Sequence, residues 1–565
     1  MKKRLILVLI FIMILFIALI VRIFMIQFIP SSIMDHDLKE EAYRQQMLSK
    51  IITPKRGTIY DSTGTRNLAF SVQVETITIN PTRIEKENKQ KVAGIFAEIF
   101  ELNYDEVLAK VNSEEALETI IKKIDKEKTD KLRKWMEEND LYTGINIDPD
   151  NKRYYPYNNL ASNVIGFCGT DGQGLEGIEV SYNNVLKGNV GRVVTITNAA
   201  GDAIPNTDER YIKEQNGSDI VLTIDAYIQE IVEEKLKQAV EENACSKGGN
   251  VVVMDPKTGD ILAMATYPNY NLNSPFESVD MWRNKAITDT YEPGSTFKIL
   301  TTAVALEENL YETDHVGDLY CAGGEQVEDR YIACWRYFLP HEEESLRVAL
   351  MNSCNPAFIQ IGQKIGVDTF YKYLQAFGIM SETGVNMPGE ASGIFFRKSD
   401  IGLVELATLS MGQRFELTPL QLITAVSAIA NEGNLMQPRI VRQIINPNTN
   451  VVQNIEPIKV RQVVSKETSK KVLDLMQSVV DDGTATTGQV AGYAVAGKTG
   501  TAEAGITEGT FTASFIGVAP VKAPQVVVLV TLYNPDPYGP NGYQGGAIAA
   551  PVSAKIMEQI LPYMQ

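Results

Sequence analysis

The sequence predicts an α+β protein carried behind a single apolar helix at its N-terminus. Leu5 to Val21 is an unbroken run of seventeen apolar residues, entered through Met1-Lys2-Lys3-Arg4. From Val221 onward, β-type runs and helical patterns mix without strict alternation, which argues against a parallel α/β sheet. Hydrophobic residues make up 44% and charged residues 22% of 565 residues. That balance suits a folded chain of about three to five domain-sized units and excludes wholesale disorder. A net charge of −17 excludes sequence-independent nucleic-acid binding, because neutralising phosphates takes clustered Lys and Arg. Five cysteines exclude a disulfide-dense scaffold. Three histidines, His36, His315 and His341, leave little material for a Ser-His-Asp triad.

In chain order, residues 1–4 read as a cytoplasmic tip and 5–29 as a membrane anchor. At about 1.5 Å per residue the uncharged stretch covers roughly 25 Å, and the run resumes past Arg22 to exceed the ~30 Å of a bilayer core. A cleaved signal peptide would have a shorter apolar region and a small-x-small cleavage site, which Gln27-Phe28-Ile29-Pro30 does not offer. The basic residues before the span place the N-terminus inside and everything after about residue 30 outside. Residues 30–50 read as a polar helical stalk. Thr76-Ile77-Thr78-Ile79 reads as a strand, and residues 83–140 as amphipathic helices, with Ile95, Ile99 and Leu102 on one face. Short strands and turns fill 150–215. Val221 to Asp225 is a strand entering a helix capped by Asp225.

Three motifs carry no chemistry. Gly172-Gln173-Gly174-Leu175-Glu176-Gly177 matches a dinucleotide fingerprint, but a glycine-broken loop precedes it where a strand is required. His341-Glu342-Glu343-Glu344-Ser345 lacks the second histidine of a zinc-protease helix. Lys257-Thr258-Gly259 sits between two strands and reads as a hairpin turn.

Chemistry concentrates in three places. Ser295 and Lys298 follow the break Pro293-Gly294 and lead into the apolar segment Ile299 to Leu306. Residues three apart share a helical face, so Lys298 is expected beside the Ser295 hydroxyl, with Ser295 opening the helix. Burial disfavours the ammonium form, and a neutral lysine can activate a serine nucleophile. Alone, this spacing also fits a capped core helix. Ser353-Cys354-Asn355 follows 58 residues after Ser295 and offers a hydroxyl and a carboxamide. Lys498-Thr499-Gly500-Thr501 follows 145 residues after Ser353, expected at the end of strand 493–496. There Lys498 supplies positive charge, Thr499 and Thr501 hydroxyls for a carboxylate, and Gly500 room for a substrate backbone. The N–H groups of Ser295 and Thr501 are the candidate oxyanion hole.

Ser-x-x-Lys, Ser-x-Asn and Lys-Thr-Gly in this order resemble the three motifs of serine penicillin-recognising enzymes, and more specifically the class B penicillin-binding proteins. The resemblance runs over nearly the whole chain, through Arg56 to Asp61, Arg153 to Pro156, Gly174 to Glu179, Pro388-Gly389-Glu390 and Thr418 to Gln421. The chain departs near Leu339-Pro340-His341-Glu342, where many relatives carry a Gly-His-Gly-type turn. The resemblance implies a non-catalytic pedestal of the dimerisation type over 30–215, elongated and α/β. It implies a transpeptidase domain over 216–565, with a five-stranded antiparallel sheet flanked by helices. The implied reaction is peptidoglycan cross-linking: acyl transfer from D-Ala-D-Ala through a Ser295 acyl-enzyme, which β-lactams intercept. Lys298 is then the general base, Ser353 the proton relay, Asn355 the amide binder, and Lys498 with Thr499 the carboxylate site. The implied partners are stem peptides, β-lactams, the membrane, a membrane glycosyltransferase and other cell-wall synthesis proteins. Three alternatives stay open, among them a penicillin-sensing receptor, which normally has several spans and a cytoplasmic protease where this sequence offers one span. A β-lactamase shares the motifs but leaves half of the chain unexplained, and a non-catalytic scaffold conflicts with intact Ser295, Lys298 and Lys498.

No cofactor is expected for the chemistry. Cys321, Cys334, His341 and Cys354 crowd into 34 residues beside the motifs. Three readings fit them: reduced packing thiols, an extracytoplasmic disulfide, or a structural zinc held by Cys321, Cys334 and His341 with one further ligand such as Asp329.

Overall fold

The computed structural model describes residues 2–28, 47–196, 210–503 and 509–565. The chain divides into two compact units, one of residues 1–54 with 188–216, the other of 55–187 with 217–565. In the first, Lys2–Phe28 is a single helix, and its stretch Lys3–Met25 is long and apolar enough to cross a membrane. The same unit holds a three-stranded antiparallel sheet in the order Met47–Ile52, Gly191–Ile196, Arg210–Ile212. Of the expected stalk, residues 47–50 are therefore strand, and 29–46 lie outside the described residues.

The second unit is built on a five-stranded antiparallel sheet. Its spatial order is Ile261–Tyr267, Gly249–Met254, Val526–Tyr533, Phe511–Ala519, Ala496–Glu503. The inner strands Gly249–Met254 and Val526–Tyr533 are buried almost throughout, as befits a sheet covered on both faces. Helices Ala226–Glu242 and Ala550–Tyr563 pack together and on the sheet. Pro419–Ala430, Lys466–Asp481 and Lys298–Glu307 form a second packed group against it. Lys257-Thr258-Gly259 makes the turn between the first two strands, closed by Lys257 N–H donating to Asp255 Oδ1 at 2.8 Å.

A seven-stranded sheet ties the earlier segment to this one. Ile59–Tyr60 pairs in parallel with Asp219–Leu222 and antiparallel with Asn67–Ile79. Asp219–Leu222 also pairs with Val441–Asn446. The main core accordingly includes Ile59, Leu68, Phe167 and Ile178 together with the residues around the five-stranded sheet. A separate small core of Ile77, Phe96, Phe100, Leu132 and their neighbours belongs to the lobe between residues 77 and 147. That lobe is not wholly helical as expected: Glu118–Ile124 is a strand on Asn67–Ile79, because Thr119-Ile120-Ile121 supplies β-branched residues for a half-buried face. Asp225 caps the helix after Asp219–Leu222 as expected, accepting from the N–H groups of Tyr227 and Ile228.

The Gly172–Gly177 loop belongs to an ion-pair network. Glu179 is wholly buried and takes Arg56 Nε at 2.5 Å and Arg153 Nε at 2.6 Å. Arg56 also reaches the carbonyl of Gly172. Arg153 Nη1 donates to the Gly57 carbonyl at 2.7 Å, so one carboxylate fastens three stretches of the segment. Burial alone would raise the Glu179 carboxyl, yet the two guanidinium groups hold it below its ordinary value.

Candidate active site

Ser295 lies in a 3-10 turn, Gly294–Phe297, and the α-helix Lys298–Glu307 begins only at the lysine. In a 3-10 turn residues i and i+3 eclipse, so Ser295 and Lys298 share one side. The serine is not a cap: no side chain caps either helix start, which leaves the hydroxyl to the cleft that Ser295 lines. The turn is held from behind. Gly294 N–H donates to the Gly412 carbonyl at 2.9 Å and Thr296 Oγ1 to the Pro293 carbonyl at 2.6 Å. At Gly412, φ is +86° and a Cβ would come within 2.0 Å of the Gly294 carbonyl oxygen, so only glycine fits.

Lys298 is fully buried. Its Nζ donates to the Ser353 carbonyl at 2.8 Å and to Asn355 Oδ1 at 2.7 Å, with Ser353 Oγ at 3.4 Å. These bonds run to the Ser353-Asn355 motif rather than to Ser295, which differs from the expected resting pair. Burial pushes the Lys298 amine down to about 8, while the Cys354 and Cys334 thiols and the Glu344 carboxylate pull the other way.

Lys498 approaches the same hydroxyl from the sheet. Its Nζ donates to Ser353 Oγ at 3.0 Å and to the Thr499 carbonyl at 3.1 Å. It too is wholly buried, and burial, then the charge of Lys298, hold it well below the ordinary lysine range. Two buried ammonium groups around one hydroxyl repel each other, which favours loss of a proton from the pair. Ser353 itself sits at φ +54°, a left-handed conformation that an ordinary L-residue adopts only when its surroundings compel it.

The motif Lys498–Thr501 lies inside the edge strand Ala496–Glu503, not at the end of a strand as expected. A Cβ at Gly500 would stand 2.4 Å from Ser514 Oγ and 2.9 Å from the Pro293 carbonyl oxygen. The glycine thus lets the edge strand close on the Ser295 turn, rather than clearing a path for substrate.

The cleft over these groups has a volume of about 1410 Å³ and is lined by Ser295, Ser353, Asn355, Thr499, Thr501 and Trp335, among others. Lys298 and Lys498 are not on its wall. Of the residues expected to take a carboxylate, Thr499 and Thr501 therefore line the cleft, whereas Lys498 lies buried behind them. Thr499 Oγ1 is 3.3 Å from Thr484 Oγ1, and Thr501 Oγ1 accepts from Gly545 N–H at 3.0 Å. Reading the sequence missed Thr484 and Gly412, which no motif marks. It also missed Ala333, whose carbonyl accepts from Asn355 Nδ2 at 3.3 Å.

Beside the motif, the side chains of Cys321, Cys334, His341 and Cys354 converge, with one ligand atom from each all within 4.8 Å of one another. Asp329, the suggested fourth ligand, is exposed in the turn between strands Gly324–Val327 and Arg330–Ala333. Cys354, not Asp329, stands with the other three. The five cysteines of the chain stand as free thiols. Contact with the Cys354 S–H draws the Cys334 thiol well below its ordinary value, and Cys354 is raised in turn.

Comparison with known proteins agrees along the chain. Residues 249–558 match the penicillin binding protein transpeptidase domain, and residues 51–222 the penicillin-binding protein dimerisation domain. The chain is 35% identical over 572 residues to stage V sporulation protein D of Bacillus subtilis (strain 168), covering 99% of this chain and 86% of that one. It is 28% identical over 543 residues to the peptidoglycan D,D-transpeptidase FtsI of Escherichia coli (strain K12), covering 93% and 86%. Among solved structures, penicillin binding protein 3 of Mycobacterium tuberculosis complexed with aztreonam superposes with a TM-score of 0.69 at 25% identity, covering 91% of this chain and 97% of that one.

Proposed function

The chain belongs to the class B penicillin-binding proteins, and from that membership we propose that it is a peptidoglycan D,D-transpeptidase working through an acyl-enzyme on Ser295. The observation that carries the reading is the convergence of two buried amines on the Ser353 hydroxyl, directly beneath the cleft that Ser295 and Asn355 line.

The stem peptide enters with its terminal carboxylate on the hydroxyls of Thr499 and Thr501 and its amide on Asn355. Ser295 Oγ attacks the carbonyl carbon of the D-Ala-D-Ala amide, and its proton passes to neutral Lys298. The N–H groups of Ser295 and Thr501 receive the oxyanion. Collapse breaks the C–N bond, and a proton relayed through Ser353 Oγ goes to the departing D-Ala amine. The amine of a second stem then attacks the ester, returns a proton along the same relay, and leaves a new amide with Ser295 regenerated. A β-lactam acylates Ser295 in the same way. The buried lysines act without entering the cleft: Lys298 as base, Lys498 by holding Ser353 and supporting the ligand's negative charge.

The apolar helix anchors this machinery as a single span, with its basic N-terminus cytoplasmic. Residues 5–29 are then anchor, 30–215 pedestal and 216–565 catalytic. A membrane-bound glycan polymerase, which must supply the strands to be cross-linked, is the natural partner. Intact-mass analysis of the detergent-solubilised full chain with benzylpenicillin tests the reading. A stable adduct mapped to Ser295 and missing in Ser295→Ala supports it. Rapid hydrolysis of excess drug would make the protein a β-lactamase, and absence of any adduct a scaffold.

A further inference from the structure

We propose that Cys321, Cys334, His341 and Cys354 form a tetrahedral zinc site that anchors the Ser353-Cys354-Asn355 motif to the strands beside the cleft. The assignment rests on four observations.

The first is convergence. The four residues come from separate elements: the end of strand Leu319–Cys321, the residue after strand Arg330–Ala333, the residue before strand Glu342–Glu344, and the N-cap of helix Asn355–Ile365. Backbone pairing compels the meeting. Cys321 faces Glu342 across an antiparallel pair, which sets His341 next to it, and Cys334 N–H donates to the Gly323 carbonyl at 2.9 Å, two residues past Cys321.

The second is distance. With Zn–S near 2.3 Å and Zn–N near 2.0–2.1 Å, tetrahedral sulfur and nitrogen ligands stand roughly 3.6 Å apart. Cys334 Sγ and His341 Nδ1 are 3.7 Å apart, and the whole set fits within 4.8 Å. A cation at the centre needs only a small contraction.

The third is unspent polarity. The three cysteines are almost wholly buried. His341 Nε2 is also buried and has no hydrogen-bond partner. A half-buried imidazole whose one polar contact is a thiol at 3.7 Å is poorly satisfied as a packing residue, and a metal would give one of its ring nitrogens a strong partner.

The fourth is donor chemistry. Three thiols and one imidazole are soft and borderline ligands that favour zinc over magnesium or calcium. Binding releases one proton from each thiol and keeps the imidazole neutral, leaving a closed site of net charge −1 with no open position. The site is therefore structural and not a second catalytic centre.

Its consequence follows from Cys354 standing between Ser353 and Asn355. Metal coordination at Cys354 fixes the backbone that carries both side chains, one of which sits at φ +54°. Asn355 Nδ2 is further tied to the Ala333 carbonyl, next to the ligand Cys334. Cys321, Cys334 and His341 do not line the cleft themselves and act by positioning. This last step rests on the acyl-enzyme reading, but the existence of the site does not.

The full-length protein, purified in detergent under reducing conditions without added metal, decides the matter by elemental analysis and a thiol titration before and after chelation. The expected result is one zinc per chain, with three thiols that react only after zinc is removed. Cobalt added to the chelated protein should give the intense visible bands of a tetrahedral thiolate complex. Cys321→Ser and His341→Ala should lose zinc and melt at a lower temperature. His341→Cys, which restores a fourth soft ligand, should keep zinc, and so should Asp329→Ala. Penicillin acylation should slow at least tenfold in Cys321→Ser and stay near the parent rate in His341→Cys. A parent protein that is metal-free, takes up neither zinc nor cobalt, and shows three readily titrated thiols or a disulfide would overturn the site. Full zinc with unchanged acylation in Cys321→Ser would overturn the anchoring role of that ligand, whatever the fate of the transpeptidase reading.

Discussion

Titration of Lys298 offers the sharpest check on the chemistry. Burial brings its amine from 10.5 to about 8, a shift that corresponds to about 3 kcal/mol against the charged form. At pH 7 such an amine is neutral in roughly one molecule in eleven, against roughly one in three thousand for an ordinary lysine, a gain of roughly 300-fold in competent base. Burial and the charge of Lys298 hold the Lys498 amine well below the ordinary lysine range as well, and the midpoint near 8 is the one expected for Lys298. The rate constant for acylation of the full chain by a fluorescent penicillin should climb tenfold per pH unit below about 8 and flatten above it. Stopped-flow mixing from pH 6 to 9.5 resolves the two limbs. Lys298→Arg, which keeps positive charge but cannot deprotonate, should lower the plateau by roughly 10² to 10⁴-fold. The same shift has a stability counterpart. Between about pH 8 and 10.5 the folded chain binds fewer protons than the unfolded one, so stability rises with pH through that window. A rate that is flat from pH 6 to 9, or that rises only near 10, would refute Lys298 as the buried base.

The other expectations concern the scaffold. Gly500→Ala places a methyl against Ser514 Oγ and the Pro293 carbonyl; overpacking of that kind costs about 1–3 kcal/mol. The displaced Ser295 turn should make the acylation rate fall more than the melting temperature, and normal acylation would show that the strand is not seated on the turn. Glu179→Gln strands Arg56 and Arg153, both nearly buried, and should cost about 3–5 kcal/mol in urea unfolding. A loss under 1 kcal/mol would mean that water enters the network. Glu233 is half-buried, accepts from Ala161 N–H at 2.7 Å and Gln229 Nε2 at 2.8 Å, and loss of water around its carboxyl raises it from 4.5 to about 7. A raised carboxyl stabilises below the unfolded value and loses that contribution as pH rises through the folded one. Stability should therefore fall by up to about 3 kcal/mol between pH 4.5 and 8, and Glu233→Gln should remove that part of the slope. Identical pH profiles for the two proteins would disprove the assignment.

Where local chemistry dictates structure, sequence reasoning reached the answer. An apolar run longer than a bilayer core has one stable conformation, and Lys2–Phe28 adopts it. Asp225 caps its helix because a short carboxylate can reach two N–H groups within its own turn. Lys257-Thr258-Gly259 turns because its flanking strands pair at once. The order Ser295, Lys298, Ser353, Asn355, Lys498 identifies a family because it is written in one dimension. Features set by contacts between distant segments were not readable. Glu118–Ile124 carries Ile120 and Ile124 at helical spacing, yet Asn67–Ile79 offers it a sheet edge, and pairing outweighs pattern. Ser295 looked like a helix cap, but Gly412, 117 residues further on, holds its turn in a tighter form. Lys298 looked committed to Ser295 by spacing alone, while the fold gives its protons to Ser353 and Asn355. Asp329 is closer in sequence to Cys334 than Cys354 is, but the hairpin turns it outward, and a helix N-terminus brings Cys354 in. Residue type and spacing fix which groups are available to react. Which of them meet, and which are stripped of water so that an amine gives up its proton, depends on burial, and burial exists only once the chain has folded.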